Sequence, residues 1–103
     1  MFSDDLNEIF ELEANAKEKR NDLIKRIKKK LDGFKSKFGV TDEIKINLFE
    51  DDKGKFIKLS LFTGRGFSIN NQFMEELTKI METGSYNQIF VNTDKLEIDF
   101  FYG

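Results

Sequence analysis

Apolar residues recur at intervals of three and four along the first third of the chain and at intervals of two through its middle and end. Phe2, Leu6, Ile9 and Phe10 form one helical cluster; Leu23, Ile24, Ile27, Leu31 and Phe34 form a second. Between them, Glu13 to Asp22 has only alanines to offer a core. The spacing predicts helix from residue 3 to about 38, with Ser3 as cap, Asp4 and Asp5 in the first turn, and Lys28, Lys29 and Lys30 near the far end of the dipole. A continuous helix over 3–31 is about 44 Å long at ~1.5 Å per residue. A chain of 103 residues folds to a radius of gyration of only ~13 Å. Either the helix bends around Asn15 to Asn21, or its first cluster packs on another chain; on the second alternative, Phe2, Leu6, Ile9 and Phe10 are a homodimer interface.

Alternation takes over after Gly39. Ile44, Ile46 and Leu48 alternate in one segment, and Ile57, Leu59 and Leu61 in the next. The turn Asp51-Asp52-Lys53-Gly54 joins them as a hairpin. With 51 opposite 54, Leu48 faces Ile57, Ile46 faces Leu59, Ile44 faces Leu61, and on the other face Phe49 pairs with Phe56. The loop Thr63-Gly64-Arg65-Gly66 leads to Ser68, a predicted N-cap for a helix running to about Thr83, with Phe73, Leu77, Ile80 and Met81 as its apolar stripe and Gly84 as its stop. A second hairpin sets Ile89 and Val91 against Ile98 and Leu96 across a turn at Thr93-Asp94. The order is α-β-β-α-β-β. This is an α+β chain, an antiparallel sheet with helices on one face, in a single domain over 1–103: a long bent helix in 1–38, then hairpin–helix–hairpin in 43–102. Its inward sheet face is expected to hold Ile46, Leu59, Ile89 and Ile98.

Composition narrows the chemistry. The chain has no Cys and no His, so it lacks disulfides, thiolate ligands and the commonest general base and zinc ligand. No spacing of Asp, Glu, Lys, Ser or Tyr stands out as catalytic, which argues against an enzyme; no cofactor or metal site is expected, and the acids do not match a calcium loop. No apolar run approaches the ~20 residues of a membrane span, and the acidic start MFSDDLNEIFELE is unlike a signal peptide. A cytoplasmic protein without membrane contact is expected.

Charge is distributed unevenly. Lys17 to Lys37 holds ten Lys or Arg against three acids, a local +7, so the other 82 residues sum to −9 within a net charge of −2. A dense cationic helix attracts phosphate. Lys25, Arg26, Lys28, Lys29 and Lys35 are therefore candidate nucleic-acid contacts, unless they are only a solvated face that complements the helix dipole. Arg65 between two glycines suits a phosphate or a narrow groove, and Lys95 at the tip of the last hairpin could touch a backbone as a wing does. Five Phe (49, 56, 62, 90 and 101) fall on the face opposite the inward set, enough for a second core, a dimer interface or a partner-binding patch.

In length, AT-rich composition and the closing helix and hairpin from Ser68 to Tyr102, the chain resembles the TcpK type of relaxosome accessory protein. The resemblance rests on element order over about a third of the chain. It implies a winged-helix-like end, a homodimer, and binding to double-stranded DNA repeats at a conjugative plasmid's transfer origin. Helix 69–83 carries Glu75, Glu76 and Glu82 against Lys79 alone, so such binding would fall to the first helix, the Arg65 loop and the wing tip. The other expectation is a protein-binding inhibitor, immunity or anti-defence protein of a mobile element, with a host or phage protein as partner.

Overall fold

The computed structural model describes residues 2–11, 16–40, 43–62, 69–92 and 94–103. Two helices, α1 (Phe2–Glu11) and α2 (Ala16–Phe38), stand where one long bent helix is expected. They run antiparallel: Asp5 Oδ2 accepts from Arg26 at 2.6 Å, Glu8 pairs with Lys19, and the Lys30 ammonium sits 4.7 Å from the centre of the Phe2 ring. Phe2, Leu6 and Ile9 recur at i, i+4 and i+7, so one stripe of α1 faces inward, where it joins Leu23, Ile27, Leu31 and Phe34 of α2 in the core. The expected dimer interface is thereby corrected. Phe2, Leu6 and Ile9 are at most 2% exposed within one chain, and Phe10 is half-buried against the same core, because α1 folds back on α2 instead of reaching another molecule. Ser3 lies inside α1 and does not cap it.

The sheet contains β1 (Lys45–Asp51), β2 (Gly54–Phe62), β3 (Tyr86–Val91) and β4 (Lys95–Phe101) in the order β1-β2-β4-β3, with every pairing antiparallel. The first hairpin has the expected register, with Leu48 opposite Ile57, Ile46 opposite Leu59 and Phe49 opposite Phe56. Its turn is fastened by Asp51, whose Oδ1 accepts from the backbone N–H of Lys53 (2.8 Å) and of Gly54 (3.3 Å). The second hairpin also pairs as expected, Ile89 with Ile98 and Val91 with Leu96, with a bulge at Asn87. The architecture is α+β, with the helices forming the layer that buries Ile57, Leu59, Leu61, Leu96, Ile98 and Phe100.

Helix α3 (Asn71–Met81) is capped by Asn70, which accepts from Phe73 N–H at 2.9 Å; Ser68, the expected cap, and Arg65 lie outside the described residues. The helix ends at Glu82, left-handed at φ 59°, two residues before the expected Gly84. Phe73 packs edge-on to Phe34 and Phe38 at 5.0 and 5.2 Å between ring centres, locking α3 to α2. Tyr102 O–H donates to the Met81 carbonyl, tying the chain's end to α3. Two inward residues depart from expectation. Ile89 is 46% and Val91 60% exposed, because the helix layer stops at β4.

Candidate functional site

Three surfaces bear on function: the basic helix, the outer face of the sheet, and the β3 edge. On α2 half of the cations of the positive stretch pair with carboxylates among the described residues. Arg26 pairs with Asp5, Lys28 with Glu43 at 3.3 Å, Lys30 with Glu82 at 3.8 Å and Lys37 with Glu76 at 3.2 Å. Of the expected phosphate contacts on this helix, Lys25, Lys29 and Lys35 make no ion pair among the described residues; Lys25 and Lys29 are exposed and Lys35 is half-buried. The cleft between α1 and α2, about 580 Å³, is lined by Asp5, Glu8, Lys19, Asp22, Lys25 and Arg26, three acids against three bases. Acids interleaved this closely cancel the field a phosphate would need. The structure does not bring Lys95 to this helix: it lies at the start of β4 and donates to Glu97 at 2.5 Å.

The outer sheet face absorbs most of the surplus phenylalanines. Phe56 is fully buried between Phe49 (ring centres 5.0 Å apart, stacked) and Phe101 (5.3 Å). Lys58 lies over Phe49, and Lys45 and Lys95 lie over Phe62, all within 5.5 Å of the ring centre, so stems and ammonium groups cover these rings. Beside them, Lys58, Gln88, Phe90, Glu97 and Asp99 line a shallow cleft of about 210 Å³. The hydrogen bond from Lys95 holds the Glu97 carboxyl below its usual range. Burial pushes Asp99 the other way, above its usual range, only partly opposed by Lys58 at 3.9 Å. Asp99 Oδ1 is buried without a hydrogen-bond donor among the described residues.

The β3 edge is different in kind. Tyr86, Ile89, Phe90 and Val91 are 38–60% exposed, and apart from Ile69 they are the large exposed apolar side chains among the described residues. The strand YNQIFV carries no charge and no proline. The opposite edge, β1, carries Lys45, Glu50 and Asp51, the usual protection of an edge against stray pairing. Backbone groups alternate in direction along an antiparallel strand. Asn92 N–H donates to the Lys95 carbonyl (2.8 Å), so the amides of Phe90 and Gln88 also face β4, and those of Ile89 and Val91 face the open edge. A partner strand would meet a ladder edge that no other strand occupies among the described residues, with apolar side chains on both faces.

Sequence reasoning placed Ile89 and Val91 in the core and missed this edge. The available signal was the absence of charge: β3 has none, whereas each of the other three strands has at least two charged residues. No group of three or more metal-ligating side chains occurs among the described residues, and none of their helices is long and apolar enough to cross a membrane. No family model matches the chain, and no curated protein or solved structure is significantly similar to it.

Proposed function

We propose that this chain is a non-catalytic protein-binding module that works by strand addition at β3. One observation carries the reading: among the described residues the most exposed large apolar side chains stand on an uncharged edge strand whose ladder amides at Ile89 and Val91 face away from the sheet. Main-chain bonding supplies affinity in such docking, and alternate side chains supply selectivity. Ile89 and Val91 would grip one face of an incoming strand and Phe90 the other.

DNA binding, the other expectation, keeps support from Lys25, Lys29 and Lys35 alone among the described candidates. A photo-crosslinking residue placed at position 90, or separately at position 29, separates the two in living cells. Strand addition predicts one discrete protein adduct from position 90. Nucleic-acid adducts from position 29 with none from position 90 would refute it.

A further inference from the structure

We infer that the strand added at β3 is supplied by a second copy of this chain, paired antiparallel about a two-fold axis through Phe90. The inference rests on reading β3 as a pairing edge and names its occupant. Symmetry and face parity select the register. In a two-fold antiparallel pair the residue numbers opposite one another sum to a constant, and that constant must be even if inward side chains are to meet inward ones. Centring on Phe90 sets Ile89 against the second copy's Val91, and Val91 against its Ile89, on the helix side; Phe90 meets its own counterpart on the outer side. Ile89 and Val91 are the residues whose amides and carbonyls face outward, so this register closes four ladder hydrogen bonds. The bulge at Asn87 lies beyond these bonds.

Charge permits self-pairing and accounts for assembly stopping at two. With no charged residue on β3, self-pairing opposes no like charges. The resulting eight-stranded sheet ends on both sides in β1, whose Lys45, Glu50 and Asp51 oppose the pairing of a third chain. One strand and four partly exposed side chains are less than the ~800 Å² per partner of a standard interface, so the dimer is expected to be a weak one that dissociates within the micromolar range.

A cysteine scan tests the register directly, because the chain has no native Cys. In a pair centred on Phe90, that position lies opposite itself without hydrogen bonds, at a Cα separation of ~4.5 Å, within disulfide reach. Position 89 lies diagonally from its own mate at ~7–8 Å, beyond that reach. Phe90→Cys should therefore oxidise to a covalent dimer much faster than Ile89→Cys, or than Ser36→Cys on exposed α2. Wild-type mass in sedimentation equilibrium should rise from 12.1 kDa toward twice that across the micromolar range, and Phe90→Lys, which sets like charges face to face, should abolish the rise. A wild-type mass fixed at 12.1 kDa, or faster oxidation at 89 than at 90, overturns the two-fold pairing. If position 90 then still cross-links to a different protein, strand addition stands and only its occupant is wrong; if it cross-links to nothing, both fall.

Discussion

Leu6→Ala measures how firmly α1 is held by its own chain. An isolated helix of 10 residues is marginal in water, so α1 (Phe2–Glu11) owes its existence to docking. Two kinds of contact hold it. The ion pairs Asp5–Arg26 and Glu8–Lys19 join side chains 31–53% exposed, and such pairs contribute about 0.2–1 kcal/mol each. The apolar stripe Phe2, Leu6 and Ile9 is sealed, and Leu6 at its centre is fully buried. Truncating a sealed Leu costs about 2–5 kcal/mol, as lost transfer energy plus the cavity left behind. With an unfolding entropy of ~2.1 cal/mol/K per residue, each kcal/mol moves the midpoint of a chain this size by about 4–5 °C, so Leu6→Ala should melt roughly 9–23 °C lower. Asp5→Ala should cost under ~1 kcal/mol. Urea titration and thermal melts of the two variants decide the matter. A Leu6→Ala cost under ~1 kcal/mol, or one no larger than that of Asp5→Ala, would show that α1 does not dock on α2 in solution.

Two glycines should respond in opposite directions to alanine. At Gly54, φ is +143° and a Cβ would stand 2.7 Å from Phe101 Cε2 and 2.9 Å from the Gly103 carbonyl carbon, so Gly54→Ala should cost more than about 1 kcal/mol. Gly33, within α2 and with nothing inside 4 Å of its Cβ position, should gain roughly 0.5–1 kcal/mol from the same change; equal effects in denaturant titrations would contradict the hairpin geometry. Asp99→Asn should stabilise the protein at pH 7 and leave it nearly unchanged at pH 3. A carboxyl whose folded pKa is raised by burial costs stability when ionised, and that cost disappears as pH falls below the unfolded value of about 3.8. If Asp99→Asn were instead destabilising at pH 7 relative to pH 3, Lys58 would outweigh burial at this site.

The first hairpin was legible because turn chemistry and alternation point to the same register. Asp51 and Gly54 fix the turn, and a slip by one residue would have put Leu48, Ile57 and Leu59 on the wrong face. The break between α1 and α2 was only half legible. Phe2–Leu6–Ile9 and Leu23–Ile27–Leu31 have the same period on a straight helix as on a folded-back pair, so spacing cannot say which molecule the first cluster meets. At α3, Asn70 rather than Ser68 caps, and Glu82 rather than Gly84 turns left-handed; residue type gave several acceptable boundaries within a few positions, and packing of Phe73 and Met81 chose among them. Ile89 failed for a related reason. Alternation assigns a side chain to a face of the sheet, but whether another layer lies above that face depends on how far the helices extend across it.

The charge pattern that dominates the sequence acquires a different meaning in the fold. Five of the ten cations between Lys17 and Lys37 reach carboxylates on other segments: Glu8 and Asp5 of α1, Glu43 before β1, Glu76 of α3 and Glu82 at its end. Each pair is exposed and individually weak, yet together they discriminate among arrangements, because a misplaced α1 or α3 would leave like charges facing one another. The +7 of this stretch and the −9 of the rest are therefore partly complementary within one molecule, which reduces the field left for an external phosphate. The same reasoning applied to the sheet gives the opposite result. Lys45, Glu50 and Asp51 guard β1, and Lys58, Lys95, Glu97 and Asp99 neutralise one another across the outer face, while β3 has no charge to guard it and keeps an open ladder. In a chain where about a third of the residues are charged, 35% by composition, an uncharged edge strand with exposed Ile, Phe and Val is the surface least suited to water and most suited to another strand.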